Sequence, residues 1–246
     1  LFSNIYDFDD TKDLFALQDE IAVSILQATR IETKLGRPEL ISKDPELYKM
    51  HIKANSLFSK MTPATNKEAE KLWIKALEKE PENHRFMATL GWVNWQKIVL
   101  RMSENPKDNI QKGLQLAKQS LSIRPDFASA LSLAVSLEMM MGNHEDACKK
   151  IDKIFKNAET MFETALGAAG AHNCGDLELA ISNFEYVFNT APHFSSWARN
   201  LYSYALVEKG DFEKALKFFE AELQKEHAFG GFSQTIYLLS AYINKK

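Results

Sequence analysis

Cysteine is scarce in this 246-residue chain, its glycines do not cluster, and neither sign of charge dominates. The two cysteines, Cys148 and Cys174, cannot build a disulfide framework. So low a count fits a reducing compartment. The 30 basic and 33 acidic residues leave a net charge of −3, which excludes a global basic footprint for nucleic acid. No apolar run is long enough to span a bilayer. The best, residues 130–141, contains Ser132, Ser136 and Glu138 and falls short of the ~20 residues needed. The start is not a secretory signal: residues 1–13 carry Asp7, Asp9, Asp10 and Asp13 in place of a basic region and an apolar stretch. It also lacks an initial Met, so the chain is expected to be a fragment of a longer protein. A composition of 45% apolar and 26% charged residues argues against wholesale disorder. The length suits one or two domains, or a repeat array.

Catalytic signatures are missing too. There is no G-x-S-x-G elbow and no H-E-x-x-H. Gly230 and Gly231 form the only glycine pair, without the Lys-Ser/Thr of a phosphate loop. The carboxylates Glu78, Glu80, Glu82, Glu220, Glu222 and Glu226 read as solvated helix faces and ends. Lys112, Lys118 and Arg124 likewise lack the aromatic interleaving of a single-strand binder. His144, Cys148, His172 and Cys174 would make a zinc tetrad only if they converged, and no Cys-x-x-Cys spacing supports it. The simpler reading puts His144 and Cys174 at inter-helix turns and makes Cys148 a small apolar residue. No metal or other cofactor is expected.

What the sequence does contain is repetition. Gly142, Gly175 and Gly210 are separated by 33 and 35 residues, and Ala147, Ala180 and Ala215 each follow five residues later. Each local sequence reads as a helix end, a tight turn and a new helix. Glycine supplies the left-handed cap, and the Asn or Asp after it caps the next helix. Four residues beyond each alanine stands Ile151, Phe184 or Phe219, on the same helical face. Upstream the pattern is looser: Ala69, Trp73 and Ala76 before Pro81, then Gly113, Ala117 and Ser120 before Pro125.

These residues resemble the tetratricopeptide repeat, a helix–turn–helix unit of about 34 residues. The resemblance implies an all-α fold: a right-handed superhelix, or α-solenoid, of about five repeats. They fall at residues 45–81, 83–125, 126–158, 160–192 and 195–227, within an array over 45–246. A helix over 234–244 would cap the last repeat's apolar face. The early tryptophan of the repeat consensus is absent, replaced by Lys53, Met87, Leu131, Thr164 and Arg199. The second repeat carries ten extra residues, since Gly91 to Gly113 is 22 where Val135 to Ala147 is 12. A longer first helix with a loop near residues 98–108 is expected. Before the array, residues 11–35 hold an amphipathic helix with Leu14, Leu17, Ile21 and Ile25 in one stripe, and residues 1–10 are strand-like.

A second resemblance lies at this start. Leu-Phe-Ser-Asn-Ile-Tyr-Asp-Phe, followed by Asp-Leu-Phe-Ala-Leu-Gln-Asp-Glu-Ile-Ala, is similar to a junction in certain bacterial multidomain proteins. There a TolB-like α/β domain leads into a C-terminal tetratricopeptide array. The output domain further upstream is a class III adenylate or guanylate cyclase, or a winged-helix DNA-binding domain. Asp44-Pro45-Glu46-Leu47-Tyr48 and the stretch from Ala191 to Trp197 agree with that family. The resemblance implies a non-catalytic regulatory or sensor arm in the cytoplasm, with no output-domain residue in this chain.

In such an array the first helices line a concave groove. The register turns Tyr48, His51, Asn55, Arg85, Trp92, Trp95, Ser132, Met139, Phe162, His172, Trp197, Asn200 and Tyr204 inward. The set is aromatic and small-polar, with one Arg and no acid, the composition of a protein or peptide site. The clamp that chaperone-binding repeats use for a C-terminal carboxylate is matched only by Asn55. Two other readings remain at this point. Tyr48, His51, Trp92 and Trp95 would close a small-ligand pocket, or residues 1–8 would pair two copies by strand addition.

Overall fold

The computed structural model describes residues 41–192, 194–223 and 243. The strand-like start, the helix over 11–35 and, apart from Ile243, the capping helix over 234–244 lie outside them. Eleven helices and no strand occur among the described residues. They fall into two compact units, residues 1–137 and 138–246.

In the first unit, α1 (Pro45–Phe58) opens on Asp44, whose carboxylate accepts from Glu46 N at 2.8 Å. Proline at the first helical position costs nothing there, because its missing N–H would have had no partner. α2 (Pro63–Lys79) and α3 (His84–Val99) follow, α2 packing against both neighbours. Leu47, Tyr48, Ala54, Ala69, Trp73, Ala76, Phe86 and Val93 form their shared core. Asn83 pins the α2–α3 turn. Its side-chain oxygen accepts from Arg85 N and Phe86 N, and its amide donates to Ile41 O and Glu80.

The insertion in the second repeat lengthens both of its helices. α3 has 16 residues and α4 (Pro106–Ile123) has 18, so the extra residues do not all go to the first helix and loop. The intervening loop turns at Arg101, whose φ is 54°. Ser103 Oγ donates to Asn109 at 2.5 Å, Asn109 to Asn94 at 2.8 Å, and Asn94 to Leu90 O at 2.9 Å. This relay ties the loop to the body of α3. Gly91 of α3 and Gly113 of α4 face one another under α5 (Ala128–Met140). A Cβ at Gly91 would lie 2.2 Å from Leu133 Cδ2 and 3.4 Å from Gly113 O. The Leu133 side chain already fills the space that a side chain at Gly91 would need.

The second unit begins within the last turn of α5. Gly142, Gly175 and Gly210 all have φ between 81° and 86°, the left-handed conformation expected of them. Asp176 caps α9 (Leu177–Thr190) by accepting from Leu179 N, and Asp211 accepts from Lys214 N at the start of α11 (Phe212–Leu223). Asn143 makes no such bond, contrary to expectation. The helix it precedes is also broken, into α6 (His144–Cys148) and α7 (Ile151–Asn157). Ala147, Ala180 and Ala215 are all fully buried, as are Phe184 and Phe219. α8 (Met161–Asn173) opens on Thr160, which accepts from Glu163 N, while Glu163 reaches back to accept from Glu159 N. α10 (Ser196–Lys209) packs on both α9 and α8.

Candidate interaction site

The predicted inward residues divide by depth. Tyr48, His51, Arg85, Trp92 and Ser132 are buried. Asn55, Trp95, Met139, Phe162, Trp197, Asn200 and Tyr204 are half-buried, and His172 keeps 11% of its side chain exposed.

His51 is spent on its neighbours. Trp73 Nε1, which can only donate, bonds to His51 Nδ1 at 3.1 Å. The imidazole proton therefore sits on Nε2, and the Asn55 amide 2.6 Å away must turn its oxygen to it. Burial, and after it the nearby Arg85 charge, lowers the pKa to about 3. Arg85 itself lies over the Phe127 ring at 4.7 Å. His51 and Arg85 are thus parts of the repeat interior.

Two aromatic groups stand at the surface. In the first unit, buried Trp92 donates its indole N–H to Ser129 Oγ at 3.2 Å and meets Trp95 edge-on at 5.4 Å. Trp95 presents its outer part to solvent. In the second unit, Trp197 packs edge-on against Phe162 at 6.2 Å and Phe194 at 6.1 Å. Phe162 stands in the first turn of α8 and Trp197 in the first turn of α10. Further along, His172 Nε2 lies 3.1 Å from Glu208 Oε2 and joins the far ends of the same two helices. Each group gives a half-exposed ring seated on a fixed partner.

The sequence reading missed two features. Arg199, in the place of the consensus tryptophan, is buried. It donates to Pro192 O and to Phe194 O (3.2 Å) and stacks over Phe188 at 4.7 Å. Cys148 and Cys174 are bonded to each other, with Cα atoms 5.7 Å apart. The description of Cys148 as merely a small apolar residue is therefore corrected. Both sulfurs of the zinc tetrad are committed to that bond, and no group of three or more His, Cys, Asp or Glu converges among the described residues. The clue was available in the repeat register. Cys148 directly follows the packing alanine of one repeat, and Cys174 directly precedes the turn glycine of the next.

Helix pairs repeating with these turns and these packing alanines decide the architecture. The fold is that of tetratricopeptide-repeat proteins. It is similar to PilW, a type IV pilus biogenesis factor (TM-score 0.53, 15% identity, covering 79% of this chain and 89% of that one). It is also similar to a thermophilic TPR protein of Thermus thermophilus (TM-score 0.51, 15% identity, covering 79% and 94%). No protein-family model matches the sequence. A curated relative from Rhizobium meliloti (strain 1021), named "Putative adenylate cyclase 3", is 24% identical over 143 residues. That match takes in 55% of this chain but only 24% of the relative, so the chain spans about a quarter of that protein's length. No helix among the described residues of the repeat array is long and apolar enough to cross a membrane.

Proposed function

We propose that this chain is a non-catalytic tetratricopeptide scaffold that binds a protein or peptide, and that it is the cytoplasmic regulatory arm of a larger bacterial signalling protein. On this reading residues 45–246 form the array, and residues 1–10 end a preceding domain. The observation that carries the binding role is that Trp95 and Trp197 are each only half-buried and seated edge-on against another ring. Rigid aromatics of this kind anchor apolar side chains at interfaces with little loss of conformational freedom. The cyclase-like relative and the junction resemblance at residues 1–22 support the regulatory role. An in-frame cyclase or winged-helix domain in the upstream coding DNA is the outcome expected of that role. A start codon directly before Leu1 would remove it.

The small-ligand reading has less support. His51 is consumed by Trp73 and Asn55. Two surface hollows, of about 260 Å³ beside Glu70, Lys97 and Lys112 and about 620 Å³ over residues 80–84, are lined by none of Tyr48, His51, Trp92 and Trp95.

The binding role is tested by selecting displayed peptides against the chain. Affinities are then compared for wild type, Trp95→Ala and Trp197→Ala. Each variant should keep its helical circular dichroism and weaken binding roughly fivefold or more, about 1 kcal/mol or above. Folded variants with undiminished affinity would remove these residues from the site.

A further inference from the structure

We infer that Cys148 and Cys174 are a reversible thiol–disulfide site, and that its oxidation state sets how tightly the chain winds through Lys149 and Lys150, between α6 and α7. The break between α6 and α7 follows directly on Cys148. Nothing in the local sequence calls for it. Residues 144–157 contain no proline, glycine or serine, the usual sources of a sharp break. Their buried positions, Ala147, Ile151 and Ile154, keep the spacing of one continuous helix across the interruption. The corresponding helix of the next repeat, α9, runs 14 residues unbroken. What distinguishes α6 is the bond at its last residue.

The backbone records the consequence. Lys149 and Lys150 keep right-handed helical dihedrals and Lys149 N still reaches Glu145 O at 3.3 Å, but Lys150 N turns to Ala147 O at 3.1 Å, three residues back in place of four. The Asp146 carbonyl instead accepts from the Lys150 ammonium at 2.9 Å. The cross-link also closes a segment with a sequence separation of 26, and that segment contains α7 and α8. Both cysteines are half-buried, within reach of a small reagent.

The co-reactant is a low-molecular-weight disulfide of the glutathione class. One cysteine thiolate attacks it and expels a glutathione thiolate, leaving a mixed disulfide. The second cysteine thiolate attacks the protein sulfur of that adduct, forming Cys148–Cys174 and expelling the second glutathione. Two protein thiols lose two electrons and two protons, and one glutathione disulfide becomes two thiols. Excess glutathione runs the sequence backwards. In a reducing compartment a disulfide of this kind is a sensor, not a staple.

The full chain is equilibrated in buffers of varied thiol-to-disulfide ratio, quenched with an alkylating mass tag, and followed by amide exchange. The expected result is an interconversion between a two-tag form and an untagged form two hydrogens lighter than the unalkylated reduced chain. Exchange at Lys149, Lys150 and Ile151 should slow in the two-tag form. Cys148→Ser and Cys174→Ser should each leave a single glutathione adduct on the remaining thiol and show the slow exchange in every buffer. The proposal is overturned if the folded reduced chain never closes the bond, or if the bond opens only on unfolding. It is equally overturned if amide exchange is the same in both forms and in both variants.

Discussion

At the scale of single residues, the His51 cluster shows how a predicted contact residue becomes an internal one. A first-helix position that would face a partner is instead bonded to Trp73 and Asn55 and left 5% exposed. Its titration then acts on stability. Folded His51 binds a proton only near pH 3, whereas in the unfolded chain it would do so near 6.5. Between those values the unfolded state holds more protons, so acid favours unfolding. The contribution is whole above about pH 6.5 and is lost as the pH falls, at a slope approaching ~1.4 kcal/mol per pH unit. Urea midpoints at about pH 4.5 and about pH 7.5 should fall further for the wild type than for His51→Gln, which lacks this slope. Equal acid sensitivity in the two proteins would show that His51 is accessible to protons when folded.

At the scale of elements, the distance between helices is set by what the first and second helices lack. Gly91 and Gly113 let α3 and α4 meet backbone to backbone, with Leu133 and Leu137 filling the space above them. Gly91→Ala should therefore destabilise the first unit by about 1–3 kcal/mol, the usual cost of overpacking. Leu133→Ala in the same background should cost less than the two single effects added, because the residues share one space. Denaturant titration of the two single variants and the double variant measures both statements. The loop between α3 and α4 follows the same logic with polar groups. The relay through the Ser103, Asn109 and Asn94 side chains fastens to α3 an insertion that the repeat pattern does not provide for.

At the scale of the whole molecule, stability within each compact unit is a sum over neighbouring helices, each burying a face that the last one leaves open. Net charge acts at the same scale. With 30 basic against 33 acidic residues the chain carries no net positive charge to gather phosphates. Duplex DNA should not be retained by this chain at about 150 mM salt, even if a DNA-binding domain precedes it in the full protein. A mobility-shift titration checks this, and a retarded band from the isolated chain would argue for a basic surface that composition conceals.

The all-α repeat fold was legible because its cues are local. Gly142, Gly175 and Gly210 require a left-handed turn whatever surrounds them, and the alanines five residues later mark helix faces by spacing alone. The residues expected to face inward share one register, and that register did not give their depth. Tyr48, His51 and Trp92 share the spacing of Asn55, Trp95 and Trp197, and only neighbouring helices decide which of them are covered. The pairing of Cys148 with Cys174 and the burial of Arg199 against Phe188 also belong to the tertiary structure. Sequence alone determines where a side chain stands on its own helix. What it meets across the gap depends on residues dozens of positions away, and on how closely small residues such as Gly91 and Gly113 let the backbones approach.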